Sequence, residues 1–336
     1  MIQEILQAMR PGTVAHERLR VGTMSSGMEV FIAVTLIKGR SDGPCLWVNG
    51  QVHGNELNGV VAAVELGRRL RPEEMSGSVV ITPTANPLAL DNHTKTAPQD
   101  LQDLDQAFPG NEHGLATNQL ANVLFREIGP VASCLVNLHT MGSIHDSRPY
   151  CVYKVYRDGN IAEDVLLRMT SYFEPSVSCR MDIGGAGELP GNIAGALDYQ
   201  CLKLGIPAFM VELGQGSWYT PENVELALSG LMGLAQHLGI LKGEAQGPRS
   251  VRRVTARQWI IIKEGGLFLS TRTPGEEIPA GESLGQIMDM YGRIVEEVTL
   301  TKGCIVIGMR RDPVVHTGDR VAFVATQWDQ VEMPRT

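Results

Sequence analysis

Three places in this chain put metal-binding or acidic side chains where apolar runs end. In residues 47–56 (WVNGQVHGNE), a short apolar run ends at Gly50. A histidine follows at position 53 and a glutamate at position 56, where helical spacing begins. His53 and Glu56 then face a common point from a strand–loop–helix junction. Residues 134–139 (CLVNLH) form another apolar run that ends in His139, and residues 209–214 (FMVELG) carry Glu212 at the end of a third. Catalytic zinc takes three protein ligands and leaves one position open, and two histidines with one glutamate are a standard set. A carboxylate that closes an apolar strand is rarely placed there unless it is paired or functional. Each residue alone also fits a plainer role. His53 and Glu56 suit a capped helix start with a surface histidine, His139 a hydrogen-bonded loop, and Glu212 an ion-paired acid. Three such residues at three strand ends are harder to explain that way, because open α/β sheets bind ligands beyond the carboxyl ends of their strands.

The elements that must position these residues alternate along the first two thirds of the chain. Strand-like apolar runs occupy residues 45–49, 78–83, 132–138 and 207–213. Helical periodicity covers residues 56–70, 115–128, 160–173, 193–204 and 222–238. Strands alternating with helices predict an α/β fold, a mixed sheet flanked by helices. The pattern changes at residues 239–250 (GILKGEAQGPRS), a polar stretch with glycines that reads as a linker. Beyond it, short β-rich segments at 258–263, 266–270, 284–289, 293–300, 304–307 and 321–325 are closely punctuated by Gly and Pro. The expected division is an α/β domain over residues 1–245 and a small all-β domain over 251–330.

Composition narrows the setting. A chain of 336 residues accommodates one large domain, or a domain with a smaller companion, and its 43% hydrophobic fraction is ordinary for a buried core. The formal net charge is −8 without any basic block, which argues against nucleic acid as a partner. The six cysteines are widely spaced with no CxxC pair, as expected of reduced, mostly buried thiols. The first twenty residues lack the apolar stretch of a signal peptide, and no run approaches the roughly 18 apolar residues of a membrane span. A cytoplasmic protein that does not engage membranes is expected; a homo-oligomer stays open.

Order and spacing of the motifs resemble the succinylglutamate desuccinylase/aspartoacylase family, a branch of the zinc carboxypeptidase clan. The similarity covers nearly the whole chain. It rests on HGNE at positions 53–56, Asn86-Pro87, FPG at 108–110, LHT at 138–140 and VELG at 211–214. The resemblance implies a zinc carboxypeptidase-like fold and one zinc ion per chain on His53, Glu56 and His139. It implies Glu212 as general base and proton shuttle, and a β-rich C-terminal domain that narrows access to the site. The reaction implied is hydrolysis of an N-acyl amino acid or a similar small amide. Zinc acidifies a water and polarises the scissile carbonyl, while a nearby carboxylate moves the proton to the leaving amine.

The chain departs from the family pattern between Asn-Pro and FPG, where relatives carry an Arg and then Asp-Leu-Asn-Arg. Here Lys95 aligns with the first Arg, which assists the carbonyl oxygen; a lysine supplies the charge without the planar fork. Asp105 and Gln106 replace the Asn-Arg pair that grips a substrate carboxylate. This removes one positive charge and adds a negative one, so a neutral or cationic substrate group is expected at that wall, as in an acylated diamino acid. Arg148 and Arg180 are spare cations, and any substrate carboxylate is then expected at Arg148, which follows His139 by nine residues. His93, His113 and His145 read as loop residues outside the ligand set. The glycines of residues 182–192 read as a flexible loop near the cleft, and Tyr199, Trp218 and Tyr219 as packing aromatics. The Gly spacing of the C-terminal segment resembles biotinyl and lipoyl carriers, but no hairpin lysine is present for attachment.

The leading reading is therefore a zinc-dependent deacylase of a small N-acyl amino acid or amine. A carboxypeptidase or peptide amidase shares the motif order. A non-catalytic binding protein on the same fold belongs to another class, and retention of all four site residues argues against it.

Overall fold

The computed structural model describes residues 1–183 and 192–333. The chain opens with helix α1 (Ile2–Ala8) and a long hairpin of β1 (Thr13–Thr23) and β2 (Glu29–Lys38), followed by β3 (Ser41–Asn49), α2 (Leu57–Arg69) and β4 (Ser76–Thr82). Then come α3 (Pro87–Asn92), α4 (Ala116–Ile128), β5 (Cys134–His139), β6 (His145–Ser147), β7 (Tyr150–Val155), α5 (Glu163–Ser171) and β8 (Ser178–Asp182). Helix α6 (Leu197–Lys203), β9 (Ala208–Glu212) and α7 (Pro221–His237) complete the α/β part. The C-terminal third is all β: β10 (Ser250–Ile261), β11 (Gly266–Ser270), β12 (Glu277–Ile278), β13 (Ser283–Met288), β14 (Ile294–Thr299), β15 (Cys304–Arg310), β16 (Val314–Val315) and β17 (Arg320–Glu332).

The main sheet runs in the order β1-β2-β4-β3-β5-β9-β7-β8-β10-β17-β15-β12, with β6 on β15. Its centre is parallel where β3, β4, β5 and β9 adjoin. These strands are continuous apolar runs because helices cover both faces; all six residues of β5 are buried. One face packs Val48, Val136 and Phe209 under α2, α5 and α7, with Leu66, Leu167 and Leu231 in the same core. The other packs Trp47, Val80 and Leu135 under α4 and α6, with Leu120, Leu124 and Cys201. All six cysteines are free and buried. Among the described residues, no helix is long and apolar enough to cross a membrane.

Two features go beyond the pattern read along the sequence. The β1–β2 hairpin was not apparent there, because β1 (TVAHERLRVGT) is largely exposed on one side and mixes charged with apolar residues. The C-terminal segment is the expected β-rich part, and some of its strands also join the main sheet. Strand β10 pairs in parallel with β8 through Arg253 opposite Ser178, and β17 and β15 continue from it. Only β11, β13, β14 and β16 form a second sheet. Strands β10, β15 and β17 thus extend the main sheet and carry residues of their own toward the site. Helix 193–204 is divided, a 3-10 turn at Ile193–Gly195 preceding α6.

Candidate metal centre and its cavity

Strands β3, β5 and β9 all end at the same edge of the sheet, and that edge gathers the residues singled out above. His139 closes β5 and Glu212 closes β9; the two are register partners on adjacent parallel strands, so their side chains share one face. The chain leaves β3 at Asn49 and loops through His53 to Glu56, the N-cap residue of α2. Gly54 has to be glycine in this loop: a Cβ there would sit 1.9 Å from the backbone carbon of Ala89. The tight approach of loop to α3 is what lets His53 and Glu56 turn inward.

His53, Glu56 and His139 are all buried, and one ligand atom of each lies within 4.8 Å of the others. Glu56 sits between the imidazoles, with Oε1 2.9 Å from His53 Nδ1 and Oε2 3.1 Å from His139 Nδ1. Zinc bonds of about 2.0–2.2 Å place neighbouring ligand atoms about 3–3.5 Å apart, so this triad fits a zinc-sized ion. The electrostatics fit as well. Burial opposes charge on His53, but Glu56 and Asp103 outweigh it and hold the imidazole at about 10. Burial likewise opposes charge on Glu56, yet the two imidazoles bring its carboxyl down to about 2. In both directions the shifts reflect a carboxylate facing two imidazoles, surroundings that favour positive charge at this point.

Both histidines are held from behind by their other nitrogen. His53 Nε2 donates to Asp103 Oδ1 at 2.9 Å, and Lys95 Nζ lies 2.9 Å from Asp103 Oδ2. His139 Nε2 lies 2.8 Å from the side-chain amide nitrogen of Asn137. Asn137 Oδ1 accepts from Asn49 Nδ2 at 2.8 Å, and Asn49 Oδ1 accepts from Thr82 Oγ1 at 3.0 Å. Thr82, Asn49 and Asn137 stand at one register level across β4, β3 and β5, which makes the ladder a direct product of strand alignment. Both partners fix ring orientation, and the Asp103 carboxylate leaves the metal-facing nitrogen of His53 free.

Glu212 is buried, and among the described residues its Oε2 has no hydrogen-bond partner. Burial pushes its carboxyl up to about 7; His139 opposes the rise and Glu56 adds to it. It borders a cavity of about 600 Å³ that also takes in the metal triad, Lys95, Asp103, Asp105 and Gln106. A volume of this size suits a small molecule. Deeper in the same cavity lies Lys154, from the otherwise apolar strand β7, with Nζ 2.7 and 2.8 Å from the two carboxylate oxygens of Asp198 on α6. Burial raises the pKa of Asp105, and Asp198 adds to the rise while His139 and Lys154 oppose it. The opposite wall belongs to the C-terminal strands: Arg257 and Trp259 of β10, Arg310 of β15, and Arg320 and Phe323 of β17.

The structure brings most of the sequence-based candidates together and displaces two. Arg148 is exposed and packs against Gly275, outside the cavity lining. Arg180 pairs with Glu163 and Asp182, also away from it. The strand order explains this: the cations that reach the cavity arrive from β10, β15 and β17, which sequence distance from His139 could not indicate. Gln106 lines the cavity but spends its amide on the protein, donating to Asp103 Oδ2 at 3.2 Å and accepting from Asn192 N at 3.0 Å. His145 is buried in the cavity wall and donates through Nε2 to the Arg320 carbonyl at 3.0 Å. Trp218 and Tyr219 are largely exposed. Residues 184–191 of the glycine-rich segment lie outside the described residues. Sequence reasoning missed Asp103, Asn137 and Lys154; the last two were detectable as single polar residues inside the apolar runs CLVNLH and YCVYKV.

A family model for the succinylglutamate desuccinylase/aspartoacylase catalytic domain matches residues 42–238. The chain is similar to the N-alpha-acetyl-L-2,4-diaminobutyric acid deacetylase of Halomonas elongata, with 27% identity covering 88% of this chain and 86% of that protein. Among solved structures, it is similar to the product-bound ectoine utilization protein EutE (DoeB) of Ruegeria pomeroyi, at TM-score 0.84 and 25% identity over 95% of this chain and 97% of that one. It is also similar to a succinylglutamate desuccinylase/aspartoacylase of Rhodobacter sphaeroides, at TM-score 0.81 and 26% identity over 97% of each chain.

Proposed function

The chain belongs to the succinylglutamate desuccinylase/aspartoacylase family, and we propose that it is a zinc-dependent deacylase that hydrolyses the amide bond of a small N-acyl amino acid. One observation carries the reading: Glu212, a buried carboxyl with an oxygen unpartnered among the described residues, stands in register beside His139 of a His–Glu–His triad with zinc-like spacing. His53, Glu56 and His139 hold the ion. When bound, it supplies the acidity for a water and the polarisation of the scissile carbonyl.

The remaining steps belong to the protein. Glu212 Oε2 takes the proton from the attacking water and returns it to the amine nitrogen as the C–N bond breaks, so the carboxylate is regenerated with each turnover. Its raised pKa suits both halves of that exchange, because it can hold a proton near neutral pH and release it again. Asp103 and Asn137 keep the imidazoles in one orientation. Lys95 contributes positive charge on the side where the carbonyl oxygen becomes negative, shared with Asp103. Asp105, half-buried in the cavity lining, has no ammonium of its own there, because Lys154 beside it is already paired with Asp198 behind the lining. A substrate ammonium balances that charge. An N-acetylated diamino acid, the substrate class of the Halomonas elongata relative, is therefore the first compound to assay.

The test is hydrolysis of N-acetyl-L-2,4-diaminobutyrate, N-acetyl-L-aspartate and N-succinyl-L-glutamate by zinc-loaded and chelator-treated protein. Zinc-dependent release of the free amino acid from at least one supports the reading. Equal activity with and without metal, or none on any acylated amino acid, refutes it. Rapid cleavage of peptides alone would favour a carboxypeptidase.

A further inference from the structure

The cavity contains five cationic side chains, and their partners differ in an informative way. Lys95 is neutralised by Asp103 at 2.9 Å, Lys154 by Asp198 at 2.7 Å and Arg310 by Asp319 at 3.2 Å. Arg310 also gives Nε and Nη2 to the carbonyls of Asp312 and Val314, so its donors are spent inside the protein. Arg257 lies 5.5 Å from the Phe323 ring and is engaged by further interactions. Arg320 is different: among the described residues it forms no ion pair, and its guanidinium lies over Trp259, 5.2 Å from the ring centroid.

That position is built. Trp259 stacks on Phe323 with centroids 4.7 Å apart and planes 28° apart, and meets the His145 ring edge-on at 4.9 Å. His145 in turn bonds the Arg320 backbone through Nε2. The guanidinium therefore rests on an aromatic platform fixed on two sides. A guanidinium stacked on a ring keeps its in-plane donors available, and that fork matches a carboxylate in two parallel hydrogen bonds.

The wall formed by Asp103, Asp105 and Gln106 offers no free cation: the Gln106 amide is neutral and bound to Asp103 and Asn192. Asp105 beside it adds negative charge, which repels a carboxylate from that wall. We propose that Arg320, on the Trp259 platform, binds the α-carboxylate of the substrate, so that carboxylate recognition falls to strand β17. This rests on the reading of the chain as a deacylase of N-acyl amino acids. It makes Arg320 a specificity-determining residue, and it orients the substrate with the carboxylate toward β10 and β17 and any ammonium toward Asp105.

The experiment compares zinc-loaded wild type, Arg320→Gln and Arg320→Lys on N-acetyl-L-2,4-diaminobutyrate and on its α-carboxamide. Calorimetric binding of L-2,4-diaminobutyrate and its carboxamide is measured alongside. Arg320→Gln is expected to lower kcat/KM for the acid by ~10–100-fold, mostly through KM, and to change the carboxamide by less than ~3-fold. Arg320→Lys keeps part of the preference, because charge remains and the fork is lost. Equal losses on acid and carboxamide, or a wild type that binds both alike, overturn the assignment. A wild type that binds the acid through Arg320 yet hydrolyses nothing leaves the subsite standing and removes the deacylase reading. Hydrolysis of both compounds at equal efficiency does the reverse.

Discussion

Asp103 Oδ1 lies 2.9 Å from His53 Nε2, on the far side of the imidazole from Glu56. The contact ties a metal-ligand candidate to a loop 50 residues later in the chain, and Lys95 holds the other oxygen of the same carboxylate. Asp103 thus sets both the tautomer of His53 and the position of Lys95.

Asp103→Ala should weaken zinc binding by ~10–100-fold, the usual cost of removing a carboxylate behind a ligating histidine. Competition with a chromogenic chelator measures it. Asp103→Asn can still accept from Nε2 and should lose less. Unchanged zinc affinity in Asp103→Ala would separate the carboxylate from the metal centre.

Glu212→Gln should retain zinc and bind substrate while turnover falls by ~10²–10⁴, the range for loss of a general acid–base group. The same variant tests the buried carboxyl without any assay of activity. A carboxyl whose pKa rises from 4.5 to about 7 on folding favours the folded state below the unfolded value and loses that contribution as pH rises through about 7. Metal-free wild type should therefore lose stability relative to Glu212→Gln between pH 5 and pH 8, by at most about 3 kcal/mol. Urea unfolding at both pH values reads the difference, and parallel behaviour of the two proteins would count against the shift.

Asp105→Asn removes the carboxyl that Asp105 presents in the cavity lining. Selectivity for a cationic over a neutral side chain, as kcat/KM for N-acetyl-L-2,4-diaminobutyrate over N-acetyl-L-norvaline, should fall by ~10–100-fold. This single change is cleaner than one that also makes Gln106→Arg, because Gln106 bonds both Asp103 and Asn192. A variant with unaltered selectivity places the ammonium elsewhere.

Lys154→Met should destabilise the protein by about 3–5 kcal/mol, because Asp198 is fully buried and would be left uncompensated. Pairing the change with Asp198→Leu should recover much of that loss. Thermal or urea denaturation of the single and double variants decides it; additive losses would show that the two residues do not depend on each other.

The local signals in the sequence were sufficient for the α/β core, and the four candidate residues they marked lie together at one end of the sheet. An apolar run ending in His or Glu is a strand that presents a polar side chain at its carboxyl end, and this holds for His139 and Glu212 whatever surrounds them. His53 and Glu56 sit three residues apart on one loop, so chain geometry alone keeps them together. What surrounds these residues depends on neighbours far away in sequence. Asp103 meets His53 across 50 residues, and Asn137 meets Asn49 across 88 because β3 and β5 align in register. Lys154 reaches Asp198 through the folding of α6 onto β7. The placement of the arginines was decided by strand order: β10 joins β8, β17 follows β10, and Arg257 and Arg320 enter the cavity from the C-terminal third. Periodicity records which face of a segment is buried, a property each residue shares with its near neighbours. It does not record which segments adjoin, and in this protein that adjacency sets which charged side chains line the cavity.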